Sequence, residues 1–335
     1  MTFVPLWFPM PIRILNREDV LAAGDMAAAV AVTRRAFADL SAGRAVVPQR
    51  QHLDLPAEDG GALIMPAFAA AESRFAVKLL TLYPGNPGRD LPFIQGLMLL
   101  YDGTTGTPIA LMDGAPLTAL RTGAASGAAT DLLARCDAAT LAMIGVGGQA
   151  EAQVQGVCAV RPIRRLLVFA RQRERAAAFA ERLGVELGIA ADAPSDRTAV
   201  AEADIICSAT TATEAVFADD HIGDGTHINA VGAYRPDMCE VPAATLKRAR
   251  LVVDRREACL AEAGDILRAI AAGAIDAGHI AAELGEVVEG RIAGRENPKQ
   301  VTVFKSVGNA VQDAAVGALL AARAESMGLG TVVPW

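Results

Sequence analysis

The chain has 335 residues and a formal net charge of −7, which at roughly 150 residues per domain suggests about two domains. The acidic balance argues against a nucleic-acid partner, which needs a basic footprint to displace counterions. With 52% hydrophobic and 21% charged residues it is not a disordered chain. It has no run of about 18 apolar residues, so no membrane-spanning helix is expected.

Five cysteines (Cys136, Cys158, Cys207, Cys239 and Cys259) lie at least 20 residues apart. None forms a C-x-x-C pair, and the odd number suits a reducing cytoplasm better than a disulfide framework. Four histidines without an H-E-x-x-H motif argue against zinc, and no metal is expected.

Residues Met1 to Ile14 are apolar but hold three prolines and no basic leader, a poor fit to a secretory signal. They read as an extension or a misassigned start, with periodic sequence beginning near Leu15. Glu18 to Leu40, alanine-rich and free of proline, predicts a helix. Around Lys78, alternation puts Phe75, Val77 and Leu79 on one strand face and Ala76, Lys78 and Leu80 on the other. A lysine there is either an edge-strand guard or a functional group, because burying an ammonium is costly. Gln95 to Tyr101 and Thr107 to Met112 flank D-G-T-T-G, a hairpin signal. A helix from about Leu117 to Leu133 follows.

Short apolar strands come next at Thr140–Ile144, Arg165–Phe169, Asp204–Cys207, Thr226–Val231 and Arg250–Asp254. Helical stretches from Gln149 to Val160 and from Glu174 to Leu183 separate the first three. That alternation predicts βαβ units and a parallel sheet covered on both faces. After Val303 the chain reads as one alanine-rich helix to about Met327. The fold class is therefore α/β. A Rossmann-type doubly wound sheet, residues 123–305, accompanies a discontinuous α+β domain with antiparallel strands, residues 1–122 with 306–335.

Gly145-Val146-Gly147-Gly148-Gln149-Ala150 fits G-x-G-x-x-A between a strand and a helix. The first glycine makes the tight turn, the second admits a pyrophosphate, and the small third residue lets helix and strand pack closely. Free amides at the helix start then receive the phosphate. After the second parallel strand comes F-A-R-Q-R, with no carboxylate for a ribose hydroxyl. Arg171, with Arg173 beside it, suits a 2′-phosphate, so NADP(H) is favoured and NAD(H) is the alternative.

Several runs together resemble the ornithine cyclodeaminase/mu-crystallin family. They are V-P-Q-R at 47–50, F-A-V-K-L-L-T-L-Y-P-G-N-P from Phe75, A-L-R-T-G-A-A-S at 119–126 and G-V-G-G-Q-A. S-A-T-T-A-T-E at 208–214, I-N-A-V-G-A at 228–233 and F-K-S-V-G at 304–308 follow in order. The resemblance implies a homodimer joined through the antiparallel sheets of the substrate domains. It also implies that Lys78 faces the nicotinamide and substrate, as proton donor or carboxylate contact, and that Arg50 and Arg121 hold the substrate carboxylate. Thr122 and Ser126 would offer hydroxyls to cofactor phosphates. Ala209, Thr210, Val231, Gly232 and Ala233 would meet the cofactor at strand ends. Lys305 and Asp313 flank the last helix without an assigned role.

In ornithine cyclodeaminases the V-G-A run is followed by an aspartate for the side-chain amine; here Tyr234 stands there, with Asp237 three residues on. A phenol is neutral near pH 7 and is no substitute. The expectation is an NADPH-dependent reductase of a cyclic ketimine carboxylate, 1-pyrroline-2-carboxylate or 1-piperideine-2-carboxylate. Ornithine cyclodeaminase, amino-acid dehydrogenase and a non-catalytic NADPH-dependent binder remain alternatives. Cys207, Cys239 and His227 read as structural, and Glu286, Glu289 and Arg291 as a solvated loop.

Overall fold

The computed structural model describes residues 10–334. Its first sheet contains β1 (Pro11–Leu15), β2 (Gln51–Leu55), β3 (Gly60–Ala69), β4 (Arg74–Leu82), β5 (Ile94–Asp102), β6 (Pro108–Asp113) and β15 (Thr331–Pro334). The spatial order is β15-β1-β6-β5-β4-β3-β2, antiparallel except for the parallel β1–β6 pair. The second sheet contains β7 (Thr140–Ile144), β8 (Arg165–Phe169), β9 (Ala190–Asp192), β10 (Ile205–Ser208), β11 (His227–Ala230), β12 (Arg250–Val253), β13 (Ile280–Glu283) and β14 (Thr302–Lys305). It is wholly parallel in the order β13-β12-β14-β11-β10-β7-β8-β9. The winding reverses between β7 and β10, which is where doubly wound sheets open a crevice at their carboxyl ends.

The two sheets carry different sequence patterns for a physical reason. β7, β8 and β10 are buried along almost their whole length and read as continuous apolar runs. β4 alternates because only one of its faces is covered. The covering helices are α2 (Met26–Ser41), α3 (Gly114–Leu133) and α10 (Ala310–Met327), whose buried residues share one core with β3, β4 and β5. Phe37 of α2 meets Phe304 of β14 edge to face, with centroids 6.3 Å apart, which ties that core to the parallel sheet.

α3 leads from the first sheet into the second, and the expected domain boundary at 122/123 falls inside it. It lies directly on α4 (Ala150–Cys158), the helix that opens after the glycine fingerprint. A Cβ on Gly123 would overlap the Ala152 carbonyl, and one on Gly156 would overlap that of Gly123. Only glycines permit this backbone-to-backbone approach.

Several expectations are revised. Residues 1–9 of the N-terminal extension lie outside the described residues, but Pro11–Leu15 is a paired strand and no appendage. The helix expected over 18–40 is two, α1 (Arg17–Ala23) and α2. Gly24 is extended and the Asp25 side chain caps α2 by accepting from the Ala28 amide at 2.9 Å. The C-terminal helix starts at Ala310, because Thr302–Lys305 is a strand inserted between β11 and β12. Glu286 belongs to a short helix, α9 (Leu284–Val288), where it caps the Glu283 amide and pairs with Arg256. With Glu289 and Arg291 it forms an ion-pair cluster and no simple loop. His227 is structural as expected. Its ring nitrogens meet Thr302 and Asn229, and burial drives its pKa down to about 3. Burial likewise pushes the Cys207 thiol up to about 12.

Candidate active site

β4 lies between β3 and β5, so Lys78 is not an edge-strand guard. Its side chain is fully buried and its Nζ donates to Asp313 Oδ1 at 2.8 Å. Asp313 sits in the first turn of α10, where the helix dipole favours an anion. Arg121, projecting from α3, brings its Nε within 3.1 Å of the same Asp313 oxygen and donates from Nη1 to Gln312 Oε1 at 2.8 Å. Desolvation, reinforced by the Arg121 charge, lowers the Lys78 pKa to about 7. Asp313 opposes this only in part.

One carboxylate therefore serves two cations, leaving positive charge uncompensated in a buried place. Asp313 Oδ2, Arg121 Nε and Gln312 Nε2 are buried there without a hydrogen-bond partner among the described residues. Such orphaned groups are costly in a closed core and mark a place that expects a polar guest.

Arg50 precedes β2 and reaches the segment after β14. Its Nη2 donates to the carbonyls of Val307 and Gly308, at 3.1 and 2.7 Å, and lies 3.2 Å from Glu262. Arg44, the neighbouring arginine, is tied to Asp39 and Glu289 instead.

The fingerprint loop opens onto a cavity of about 850 Å³ at the carboxyl ends of β7, β8 and β10. Gly145, at φ +99°, makes the turn as expected. A Cβ on Gly147 or Gly148 would meet nothing within 4 Å, so their backbone faces open space. The first amides of α4 have no side-chain cap. These features fit a dinucleotide pyrophosphate. Ala209 and Thr210 line the same cavity, as does Arg171. Arg173 does not; its Nε is directed at the Ala193 carbonyl, 3.5 Å away. Arg175 and Arg197 line the cavity instead. Among the described residues, these two and Arg171 make no ion pair, and the cavity's one carboxylate, Glu214, pairs with Arg268.

The remaining expected cofactor contacts are less open. Ser126 is fully buried and within 2.5 Å of Gln153 Oε1, and the Thr122 hydroxyl donates to the Thr118 carbonyl at 2.6 Å. Neither hydroxyl is free for a phosphate in this arrangement. Gln149 and Ala150 occupy the helix start. Val231, Gly232 and Ala233 follow β11, held from below by Glu240, which sequence reasoning overlooked. Its carboxylate accepts from the amides of Thr210, Gly232 and Ala233 at 2.7, 2.7 and 3.2 Å. Burial pushes its pKa up, while Lys305 pulls it down. Lys305 itself pairs with Asp265 at 2.7 Å, and Asp265 accepts from the Glu240 and Val241 amides. Asp237 is paired with Arg235 on the exposed side of its loop.

Asp313 had only a motif match and a helix start to signal it; Arg175, Arg197 and Glu240 had no local signal. Removing one member of a buried charge cluster costs about 3–5 kcal/mol. Asp313→Asn is therefore expected to lower the unfolding free energy by about that amount, measured by urea titration.

The ornithine cyclodeaminase/mu-crystallin family profile matches residues 12–328. Over 300 residues the chain is 41% identical to a delta(1)-pyrroline-2-carboxylate reductase of Bacillus cereus, covering 89% of this chain and 92% of that protein. A ketimine reductase mu-crystallin of Mus musculus is 37% identical over 270 residues, 81% of this chain and 80% of the other. Among solved structures, a Thermococcus litoralis delta(1)-pyrroline-2-carboxylate reductase in complex with NADH and L-proline superposes with a TM-score of 0.92. It is 41% identical, covering 96% of this chain and all of the other. The chain belongs to the ornithine cyclodeaminase/mu-crystallin family.

Proposed function

We propose that this protein is a nicotinamide-dependent reductase of cyclic ketimine carboxylates, with 1-pyrroline-2-carboxylate as substrate and L-proline as product. The observation that carries this reading is the excess of cations around Asp313. Lys78 and Arg121 share one carboxylate oxygen, and a substrate carboxylate restores the charge balance. Arg121 and Arg50 are the carboxylate-binding pair, because a guanidinium matches a carboxylate in shape and stays charged at any working pH. Two relatives whose names specify this reaction, each 41% identical over most of the chain, support the choice of substrate.

When bound, the nicotinamide supplies the hydride that reaches the imine carbon. The chain's own work is to orient the ring and move a proton. Lys78 Nζ has three hydrogens and spends one on Asp313. A second is available for the ring nitrogen. A pKa near the working pH suits a general acid, which contributes about two to four orders of magnitude in rate. Lys78→Ala is therefore expected to lower kcat for NADPH oxidation with 1-pyrroline-2-carboxylate by about 10²–10⁴-fold. An unchanged rate would remove Lys78 from the chemistry. Because its pKa is lowered to about 7, the ammonium form is lost as pH rises through neutrality. Reduction should hold a plateau on the acid side and fall with unit slope above about pH 7, and Lys78→Ala should abolish that limb.

For the cofactor we favour NADP(H), with Arg171 joined by Arg175 and Arg197, although the similar Thermococcus structure carries NADH. The preference rests on these three arginines and on the absence of a carboxylate after β8. A charge-assisted hydrogen bond is worth about 1.5–3 kcal/mol, or about tenfold to a hundredfold. Arg171→Ala should cut kcat/KM for NADPH by that factor and leave NADH nearly untouched. Equal losses with both cofactors would refute the phosphate assignment.

We also propose a homodimer, in a reducing cytoplasm suited to five free cysteines. The outer faces of β4 and β5 carry cross-strand apolar pairs, Phe75 with Tyr101 and Leu79 with Leu97. Leu79 is 42% and Leu97 50% exposed. A contiguous apolar patch of this kind marks an interface. Light scattering is expected to give a dimer mass for the native protein and a monomer mass for the double variant L79E/L97E.

A further inference from the structure

In the run F-K-S-V-G, Phe304 packs against Phe37 and Lys305 pairs with Asp265. The run's last three residues, Ser306, Val307 and Gly308, leave the end of β14 as a short loop before α10. We infer that Asp254 is a positioning residue that uses this loop to fix both substrate arginines at once.

The geometry is specific. Asp254 follows β12 and is buried, with 1% of its surface exposed. Its Oδ2 accepts three hydrogen bonds from the loop: the Ser306 hydroxyl at 2.7 Å, the Val307 amide at 3.1 Å and the Gly308 amide at 2.9 Å. Its Oδ1 accepts the Arg255 amide at 2.8 Å and lies 3.3 Å from Cys259 Sγ. Every one of these contacts is a donor, and both oxygens are engaged.

On the opposite side of the loop are the arginines. Arg50 donates to the Val307 and Gly308 carbonyls, the same two residues whose amides Asp254 holds. Gly308, at φ +83°, lies close to the Arg121 guanidinium. A Cβ there would stand 2.7 Å from Arg121 Nη1. Arg50 comes from the segment before β2 and Arg121 from α3. The Val307–Gly308 backbone contacts both. Asp254, from the parallel sheet, sets where that backbone lies. A shift of the loop therefore moves the carbonyls that hold Arg50 and changes the close contact that Gly308 makes with Arg121. Effects of this kind appear in substrate affinity, because misplacement by about 1 Å is enough to cost binding and rate.

This inference rests on the reading of Arg50 and Arg121 as the carboxylate-binding pair, and the test separates the two. Asp254→Asn, Ser306→Ala, Arg50→Lys and Arg121→Lys are compared with the native enzyme. The measurements are KM for 1-pyrroline-2-carboxylate, KM for NADPH, kcat, and the Kd of L-proline in the presence of NADPH. Ser306→Ala removes one bond to Asp254 and leaves the carboxylate in place, so it stays informative if Asp254→Asn does not fold. The expected result is a rise of about tenfold in substrate KM and L-proline Kd for Ser306→Ala, the equivalent of one charge-assisted hydrogen bond. Asp254→Asn should show a larger rise, while KM for NADPH stays within about twofold of native. Unchanged substrate KM in Ser306→Ala, with KM raised in both arginine variants, overturns the inference and leaves the carboxylate reading standing. A parallel rise in KM for NADPH also overturns it, since that marks a general loss of scaffold. If neither arginine variant raises substrate KM, the carboxylate reading falls and this inference falls with it.

Discussion

The structure depends on one carboxylate, Asp313, shared by Lys78 and Arg121 in the core of the antiparallel half. The three side chains come from β4, α3 and α10, so forming the cluster requires those elements to be docked together. Burying an ammonium and a guanidinium carries a large desolvation cost. A single shared carboxylate offsets it only in part, which is why the Lys78 pKa is lowered to about 7 even with a partner at 2.8 Å. The incomplete compensation is the functional property. A fully balanced cluster would have no affinity for an anionic guest and no proton poised for transfer. An unbalanced one is held by the packing of α10 and α3 around it, where Gln312, Val311 and Ala314 are all buried.

The second organising element is β14, a strand of only four residues in the middle of the parallel sheet. Its end distributes two kinds of support. Lys305 engages Asp265, which accepts from the amide of Glu240, and Glu240 in turn holds the loops after β10 and β11. The next three residues run over Asp254 toward Arg50 and Arg121. On the proposed assignment, cofactor-side and substrate-side geometry are thus referred to neighbouring residues at the end of one strand. Buried carboxylates that accept backbone amides are suited to this task, since each fixes several peptide units without needing a side chain from them.

What could be read from the sequence was whatever is local. The fingerprint from Gly145 to Ala150 announces itself by spacing, and alternation puts Lys78 on one face with Ala76 and Leu80, though it does not say which face is covered. The βαβ strands are recognisable because a doubly covered strand must be apolar throughout. β14 escaped because T-V-F-K is short and runs into alanine-rich sequence, so its strand character is decided by the slot between β11 and β12. The break at Gly24 was visible as a residue type, yet its effect depends on Asp25 being the better cap. Asp313 carries no pattern of its own, and its role exists only because α10 returns more than 200 residues later to lie on β4. Arg173 shows the opposite error. It has the right residue type at the right distance from β8, but α5 (Arg173–Leu187) begins there and turns it toward the Ala193 carbonyl, while Arg175 faces the cavity. A two-residue difference in helical phase changes which side chain faces the cavity.

Helical phase and loop direction also bear on which reaction this site performs. A linear diamine must have its second amino group held before the ring can close, and an ammonium at that position requires an anion. Tyr234 offers a phenol and no carboxylate, and packs at the edge of the parallel-sheet core. Asp237 is the nearest carboxylate along the chain, but Arg235 engages both of its oxygens, at 3.0 and 2.9 Å, on the exposed side of the loop. Recruiting it would break that pair and reverse the loop over the Met238–Val241 segment, which is buried and held by Asp265. A substrate that arrives already cyclised makes no such demand. Its ring nitrogen needs a proton donor, and its carboxylate needs a fork. On the proposed assignment Lys78 and the two arginines meet both needs, so the missing anion at position 234 and the surplus of cations around Asp313 are two expressions of the same preference.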